Sequence, residues 1–539
     1  MFVCLSGRYI DQELAIHYGR IPPAFLPVGN ECLFERIARA HREEGGRKVL
    51  TLPEDFPVQA RDAAKIEQLG FEIHRTDPHL SVTRALKEAV LIAAGCESLR
   101  VLFGDTLVSF DEPGPDVGSF VVVGHSGMKY TWLHALTEDG CVVFSDAPSA
   151  KGEKLGEVCG FFSFDNLPLA REAFDRLTMS DALNHYAGRS ALATVEARNW
   201  HDFGHLVPFY QSKRDIFSAR IFNTVISDGQ IITKTSDNAQ KMRAEIEWYE
   251  SVPEEFCLHT PRFIGKTYEN HRLGYKLEYL HLPLLSEMAV FGNLPRAVWE
   301  QIIGKCVALL QRFRSITPPA GAPEASPEYA GRVYANLFRQ KTIDRLRAFL
   351  ASSGLNLDNR PALNGVKLPP FRVILDRVLG AIPPTTSKDI SFWHGDFFFG
   401  NLFFDFNTER VIMIDPRGVT YDGVFSLFND YRYDVAKLAH SIIGGYDTIV
   451  AGRLECGHTA PMDFRIPSIA DRPCVAYPDI SEFERIIFAE FQIEPHTLHA
   501  LAAVMFFSML PLHSEDRTRQ RVILANALSL YQGMGSPGR

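Results

Sequence analysis

The chain reads as two units in tandem. The first is an α/β domain on a mainly parallel sheet; the second is an α+β domain that opens with a small antiparallel sheet and then turns mainly helical. Three observations predict this. Residues 1 to about 205 alternate short apolar runs with helical stretches, the pattern of strand–helix crossovers. Near residue 210 the pattern changes to a hairpin, Ala219–Ile226 and Gln230–Lys234 around Asp228-Gly229. At 539 residues the chain also exceeds one ordinary core.

In the first unit, Lys48–Leu52, Leu99–Phe103, Ser119–Val123 and Gly140–Phe144 read as buried strands, because each is a short apolar run bounded by polar or turn residues. Ala60–Leu69 and Ser81–Gly95 read as helices. In the second unit the hairpin is followed by a helix over Asn238–Ser251 and a strand over Leu273–Tyr279. From about 296 the chain is mainly helical. Pro318–Pro327 and the Pro-rich run Ala460–Pro478 read as loops. The boundaries predicted are 1–208 and 209–539, with a small lobe over about 209–285 and a helical lobe over about 286–539.

Composition narrows the function. The chain is 46% hydrophobic and 22% charged, with a net charge of −9, which argues against a general nucleic-acid or anionic-membrane binder. Nine cysteines without a CxxC pair fit reduced thiols. Cys456-Gly-His458 resembles half a metal site but has no matching half, so it reads as a loop. The apolar run in Met1–Arg8 is too short for a signal peptide, and no stretch reaches the ~20 apolar residues of a membrane span. A cytoplasmic protein is expected, with small-molecule and nucleotide partners, no nucleic acid and no membrane insertion. The oligomeric state stays open.

The chemistry concentrates in Ser391–Asn401 and Val411–Gly418. His394-Gly-Asp396 is followed by Asn401, and Asp415 lies nineteen residues after Asp396. Asp396 can accept a hydroxyl proton, while Asn401 and Asp415 can hold magnesium. Phosphoryl transfer needs little more, since it is mostly positioning and charge neutralisation. Strand-like Leu402–Phe404 and Arg410–Ile414 form a hairpin that returns Asp415 beside Asn401. Upstream, Lys234 ends a strand from which its ammonium reaches α/β-phosphates. Glu245 on the next helix can pair with it, whereas Glu247 faces elsewhere.

This arrangement resembles the aminoglycoside phosphotransferase/choline kinase family, over about 320 residues. The resemblance implies a protein-kinase-like fold and ATP with Mg2+ as cofactors. It implies Asp396 as catalytic base, Asn401 and Asp415 as metal ligands, and Lys234, Glu245 and Glu278 as nucleotide-binding residues. Asp434, in Tyr431–Leu438, is expected to be a helix N-cap and brace. The sequence departs from the family twice: the hairpin around Phe217–Thr224 has no glycine, and Arg417 replaces an apolar or acidic neighbour. Arg417 could bind an anionic substrate or form a local salt bridge.

Ile21–Asn30 resembles the PKxLLPVGN segment of sugar-nucleotide pyrophosphorylases and related cytidylyltransferases. Val101–Thr106, Cys159–Phe164 and Asn199–Gly204 follow in that family's order. The resemblance implies a Rossmann-like nucleotidyltransferase sheet, with Asp105 and Asp202 clamping a divalent metal on CTP or another NTP. The glycine-rich loop is reduced to Leu5–Ile10 with one glycine, and Pro23 stands at the lysine position, leaving Arg8 or Arg20 to supply charge. Two readings of the whole follow. One is a kinase for a sugar, polyol or amino alcohol, fused to an enzyme that activates the product for a surface polysaccharide. The other is a kinase with a catalytically inactive binding or regulatory module.

Overall fold

The computed structural model describes residues 1–539 apart from 115, 126–131, 139–140, 147–152, 177, 219–223, 270, 461, 468–478 and 536–539. It divides into two compact units, Met1–Ile216 and Phe217–Arg539.

The first unit is built on one sheet of ten strands among the described residues. They are β1 (Phe2–Leu5), β2 (Lys48–Pro53), β3 (Phe71–Thr76), β4 (Leu99–Phe103), β5 (Thr106–Phe110), β6 (Phe120–Gly124), β7 (His134–Glu138), β8 (Cys141–Ser145), β9 (Glu153–Phe164) and β10 (Ala193–Asp202). The main path runs β3-β2-β1-β4-β9-β6-β10-β5. β1 to β4 are mutually parallel, as the alternation predicts, and helices Ala60–Gln68 and Val82–Ile92 cross between them. Val3, Val49, Leu99 and Val101 are fully buried, so these strands read as continuous apolar runs. Ser81 caps the second helix, its Oγ accepting from the Arg84 N–H.

The expectation of a mainly parallel sheet needs correction, because the sheet is mixed. β9 lies antiparallel to both β4 and β6, and β5 antiparallel to β10. A short apolar run reads alike whichever way it enters a sheet, so the alternation of the first strands does not carry over to β5 and β9. The first unit therefore has an α/β fold on a mixed sheet.

The second unit opens with an antiparallel sheet of order β11-β12-β14-β13: β11 (Thr224–Ser227), β12 (Ile231–Thr235), β13 (Phe263–Glu269) and β14 (Arg272–Glu278). The Asp228-Gly229 turn is present. Gly229 takes φ +94°, and Asp228 Oδ1 accepts from the N–H groups of Gln230 and Ile231. Residues 219–223, where the glycine-free hairpin segment falls, lie outside the described residues. β13 escaped the sequence reading because its burial alternates only between half-buried and exposed, so no apolar face marks it. Helix Ala239–Ser251 follows, capped by Asn238.

The helical lobe packs Arg296–Ser315, Lys341–Ser352, Arg432–Ile442, Pro495–Met509 and Arg517–Gly533. Pro495–His513 has the length and apolarity of a membrane span, but 78% of its most apolar window is buried inside the protein, so it forms the core of this lobe. Two expected loops hold structure. Pro323–Ala325 is a 3₁₀ turn and Pro327–Val333 a helix capped by Ser326, while Gly457–Ala460 pairs with Asp463–Arg465.

Candidate active sites

In the second unit, strand Ile390–Phe392 delivers the chain into the His394–Asn401 loop. The loop is braced from below by Asp434, whose carboxylate accepts the N–H groups of His394 (2.7 Å) and Gly395 (2.8 Å). Asp434 is thus a brace but not the N-cap. It is the third residue of helix Arg432–Ile442, with Tyr431 at the cap, and its carboxylate serves the loop instead of its own helix end. Burial pushes its carboxyl up to about 7 although these N–H groups pull the other way. Burial holds His394 down at about 4, so the ring is neutral at neutral pH.

Asp396 stands at the mouth of the loop with its side chain 35% exposed. Burial of its surroundings would raise the carboxyl. Lys437, paired to it at 2.7 Å, together with Arg417 and His394, carries it down to about 2. Asn401 Nδ2 donates to Asp396 Oδ2 (3.0 Å) and to the Asp396 carbonyl (3.1 Å), which leaves the amide oxygen for a cation. The predicted hairpin forms as Leu402–Asp405 and Arg410–Met413. Leu402 lies opposite Met413, and the Ile414 N–H donates to the Asn401 carbonyl (3.0 Å). Asn401 and Asp415 therefore sit at one end of one hairpin. Asp415 has a left-handed backbone, φ +57°, uncommon outside glycine.

The small lobe meets this loop through an ionic chain. Lys234 Nζ lies 2.8 Å from Glu245 and 2.9 Å from Asp415. Burial alone would lower the ammonium pKa, but Asp415 and Glu245 raise it, so the lysine stays charged. Tyr275 Oη donates to the same Glu245 oxygen (2.7 Å). Helix Ala239–Ser251 is fixed against the catalytic segment in two ways. Trp248 Nε1 donates to the Trp393 carbonyl (3.0 Å), and a Cβ on Gly418 would come within 2.4 Å of the Ala244 carbonyl oxygen. Glu278 does not join this group. It is exposed, three residues beyond Tyr275 on β14, and borders an open recess with Gln230 and Arg262. Among the described residues Arg417 makes no carboxylate pair; its Nη1 donates to Tyr433 Oη (2.7 Å).

The donor set fits magnesium. A carboxylate and an amide oxygen at one hairpin end leave most positions to phosphate and water oxygens, which is how this ion is held beside nucleotides. Among the described residues no three His, Cys, Asp or Glu side chains cluster as an all-protein cage.

In the first unit, Asp105 follows β4 and Asp202 ends β10. Asp202 lies opposite Thr106, and the Phe203 N–H donates to the Asp105 carbonyl (2.8 Å). Both carboxylates line a cavity of about 460 Å³, within the range of small-ligand sites. A Cβ on Gly204 would come within 2.7 Å of Asp105 Oδ2 and 3.3 Å of Asp202 Oδ1, so glycine is what lets the two approach. Burial, then the neighbouring Asp202, raises Asp105 to about 6. Crowded carboxylates of this kind fit a divalent ion, which would relieve their repulsion. His205 was missed by the sequence reading although it directly follows the singled-out Asn199–Gly204. Its Nδ1 lies 2.9 Å from Asp202 Oδ2, and that hydrogen bond raises the imidazole pKa. Pro23 and Arg8 line the cavity. Arg20 is committed elsewhere, 3.0 Å from Asp55 and stacked over Tyr9.

Residues 228–451 match the family model described as "Phosphotransferase enzyme family" (APH). Three solved structures are similar to the chain. A nucleoside-diphosphate-sugar pyrophosphorylase from Vibrio cholerae is 17% identical, covering 40% of this chain and 100% of its own, with TM-score 0.33. An inositol-1-phosphate CTP transferase from T. maritima is 11% identical over 41% and 97%, with TM-score 0.32. HddC from Yersinia pseudotuberculosis is 14% identical over 40% and 98%, with TM-score 0.30. No curated protein matches the chain.

Proposed function

We propose that the second unit transfers the γ-phosphoryl group of ATP to a hydroxyl of a small metabolite. The observation that carries this reading is the ionic chain Glu245–Lys234–Asp415, continuous through the hairpin with Asn401 and Asp396. Lys234, held by Glu245, would receive phosphate oxygens. Asn401 and Asp415 would hold magnesium, which supplies charge neutralisation on the phosphates when bound. Asp396 remains a carboxylate at neutral pH and accepts the hydrogen bond of the acceptor hydroxyl, aiming its oxygen in line. A carboxyl carried down to about 2 is a weak base, so it orients first and takes the proton late, as a loose transition state allows.

The acceptor is read as a sugar, polyol or amino alcohol, and the setting as cytoplasmic synthesis of a surface polymer. The first unit would take CTP or another NTP and couple it to the phosphorylated product. Asp105 and Asp202 would hold the divalent ion, with Arg8 as the arginine facing the phosphates. One observation favours a second reading, a module that binds a nucleotide without turning it over: Pro23 lines the cavity at the lysine position and Arg20 is tied to Asp55.

The test incubates the protein with ATP, magnesium and a panel of hydroxyl compounds and follows ADP and phosphorylated product. No product with any member, together with no ATP binding, would sink the kinase reading. Pyrophosphate release from NTPs, lost in Asp105→Ala while phosphorylation persists, supports a second active site. No release from the unaltered protein supports the binding module.

A further inference from the structure

Two cations, Lys437 and Arg417, act on Asp396, and a buried lysine, Lys341, joins Arg417 through Tyr433. Lys437 contacts Asp396 directly at 2.7 Å. Arg417 is locked to the same loop: its N–H donates to the His394 carbonyl (2.8 Å), and Gly395, at φ +82°, leaves the space that a Cβ would need, since one there would lie 2.6 Å from Arg417 Cβ. Lys341 comes from the other side of the lobe, and its Nζ donates to Tyr433 Oη (2.6 Å), the same oxygen that Arg417 reaches at 2.7 Å. Lys341 is 2% exposed and Tyr433 1%.

Buried charges are normally paired with opposite charges. Here the acidic groups are Asp396, already engaged by Lys437, and Asp434, whose oxygens take two backbone N–H groups. The oxygen offered to Lys341 and Arg417 is a phenol, which satisfies hydrogen bonds but carries no formal charge. Arg345 adds further positive potential on Arg417 and Tyr433. The helix changes its winding just before Lys341: Tyr334–Gln340 is a π-helical stretch, and Lys341 is the first residue after it. Such turns are rare and concentrate at functional sites.

Resting on the kinase reading above, we propose that the acceptor carries an anionic group, a carboxylate or a phosphate ester, and that Arg417, Lys341 and Tyr433 bind it beside Asp396. The anion supplies the negative charge that the cluster lacks and holds the acceptor hydroxyl at the catalytic carboxylate. Without it, Lys341 and Tyr433 are the groups that give way: burial brings the Lys341 ammonium down to about 7, and Tyr433 moves with it. Burial would raise the Tyr433 phenol, but Arg417, Lys341 and Lys437 bring it down to about 7. The γ-phosphoryl group of ATP is the other anion that reaches Asp396, and the two sources separate kinetically.

The experiment compares matched acceptors, glycerate and glycerol 3-phosphate against glycerol, and serine against ethanolamine, in the full-length protein. The anionic member of each pair is expected to have kcat/KM at least ~10-fold higher. Arg417→Met and Lys341→Met should raise KM for the anionic acceptor ~10-fold or more and move KM for ATP less than twofold, with Arg417→Lys recovering part of the loss. Equal use of neutral or cationic acceptors overturns the proposal, as does a rise in KM for ATP alone. A second readout needs no turnover. Absorbance titration at the tyrosinate band, taken as the difference from Tyr433→Phe, should show one tyrosine ionising near neutral pH and moving upward when phosphate or glycerate is added. No movement with any anion overturns the proposal. Movement without phosphorylation of any acceptor leaves the anion site standing and fails the kinase reading instead.

Discussion

On the proposed reading, the two units meet one problem, the charge of nucleotide phosphates, with opposite means. The second unit holds a buried lysine, Lys234, fixed by Glu245 and Asp415 before any ligand arrives. The first unit presents two crowded carboxylates, Asp105 and Asp202, with Pro23 at the lysine position and Arg20 turned to Asp55. The difference teaches that one site carries its cation within the fold, while the other must import it. The second should be preorganised; the first should depend on divalent ion for any phosphate affinity.

The largest break in this comparison is Asp396→Asn. Phosphoryl transfer should fall ~10³-fold or more, because the acceptor hydroxyl loses its orienting carboxylate, while nucleotide binding at the first unit is unchanged. Steady-state kinetics and a binding titration check both halves. Next comes Glu245→Gln. Lys234 loses its buried partner, and kcat/KM for ATP should drop on the order of 10². A drop below twofold would show that Asp415 alone positions the lysine.

The comparison is sharpened on the other side by Gly204→Ala. The added Cβ meets Asp105 Oδ2 at 2.7 Å and spreads the carboxylate pair. Divalent affinity of the first unit should weaken ~10-fold by calorimetry, about 1.4 kcal/mol, with ATP kinetics unaltered. A pH-dependent effect of similar size belongs to His394. Its native pKa of about 4 lies below the unfolded 6.5, so below pH 6.5 the unfolded chain binds the proton first. Stability of the second unit is therefore complete above 6.5 and is lost at up to about 1.4 kcal/mol per pH unit as pH falls toward 4. His394→Asn should flatten that slope in urea melts between pH 7 and 5. The smallest effect is Tyr275→Phe, which removes one buried hydrogen bond to Glu245 and should cost about 1 kcal/mol in the same melts, with Lys234 still in place.

How much of this was legible depends on how local each feature is. The His394–Asn401 loop and its return to Asp415 can be read from the chain because a tight loop and a short hairpin fix those positions within twenty-odd residues. Helix Ala239–Ser251 and the Asp228-Gly229 turn follow from capping and turn chemistry that neighbouring residues supply. The direction of β9 is not local; an apolar run reads alike whichever way it enters a sheet. The Lys341–Tyr433–Arg417 contact was invisible for the same reason. It joins residues up to 92 positions apart and lies beside a π-helical stretch that no hydrophobic period announces. Asp434 looked like a helix cap because Asp near a helix start commonly is one; only the fold reveals that its oxygens serve another loop.

The left-handed backbone at Asp415 has an evolutionary consequence. Glycine, asparagine and aspartate adopt that conformation most readily, and of these only aspartate brings a negative charge. Glutamate would keep the charge at a larger conformational cost, one that Glu409 of the same hairpin bears at φ +51°. Position 415 is therefore a gauge of descent: a copy of this domain relieved of catalysis could drift to asparagine or glycine with its hairpin intact. A copy under selection for phosphoryl transfer is held most strongly to aspartate.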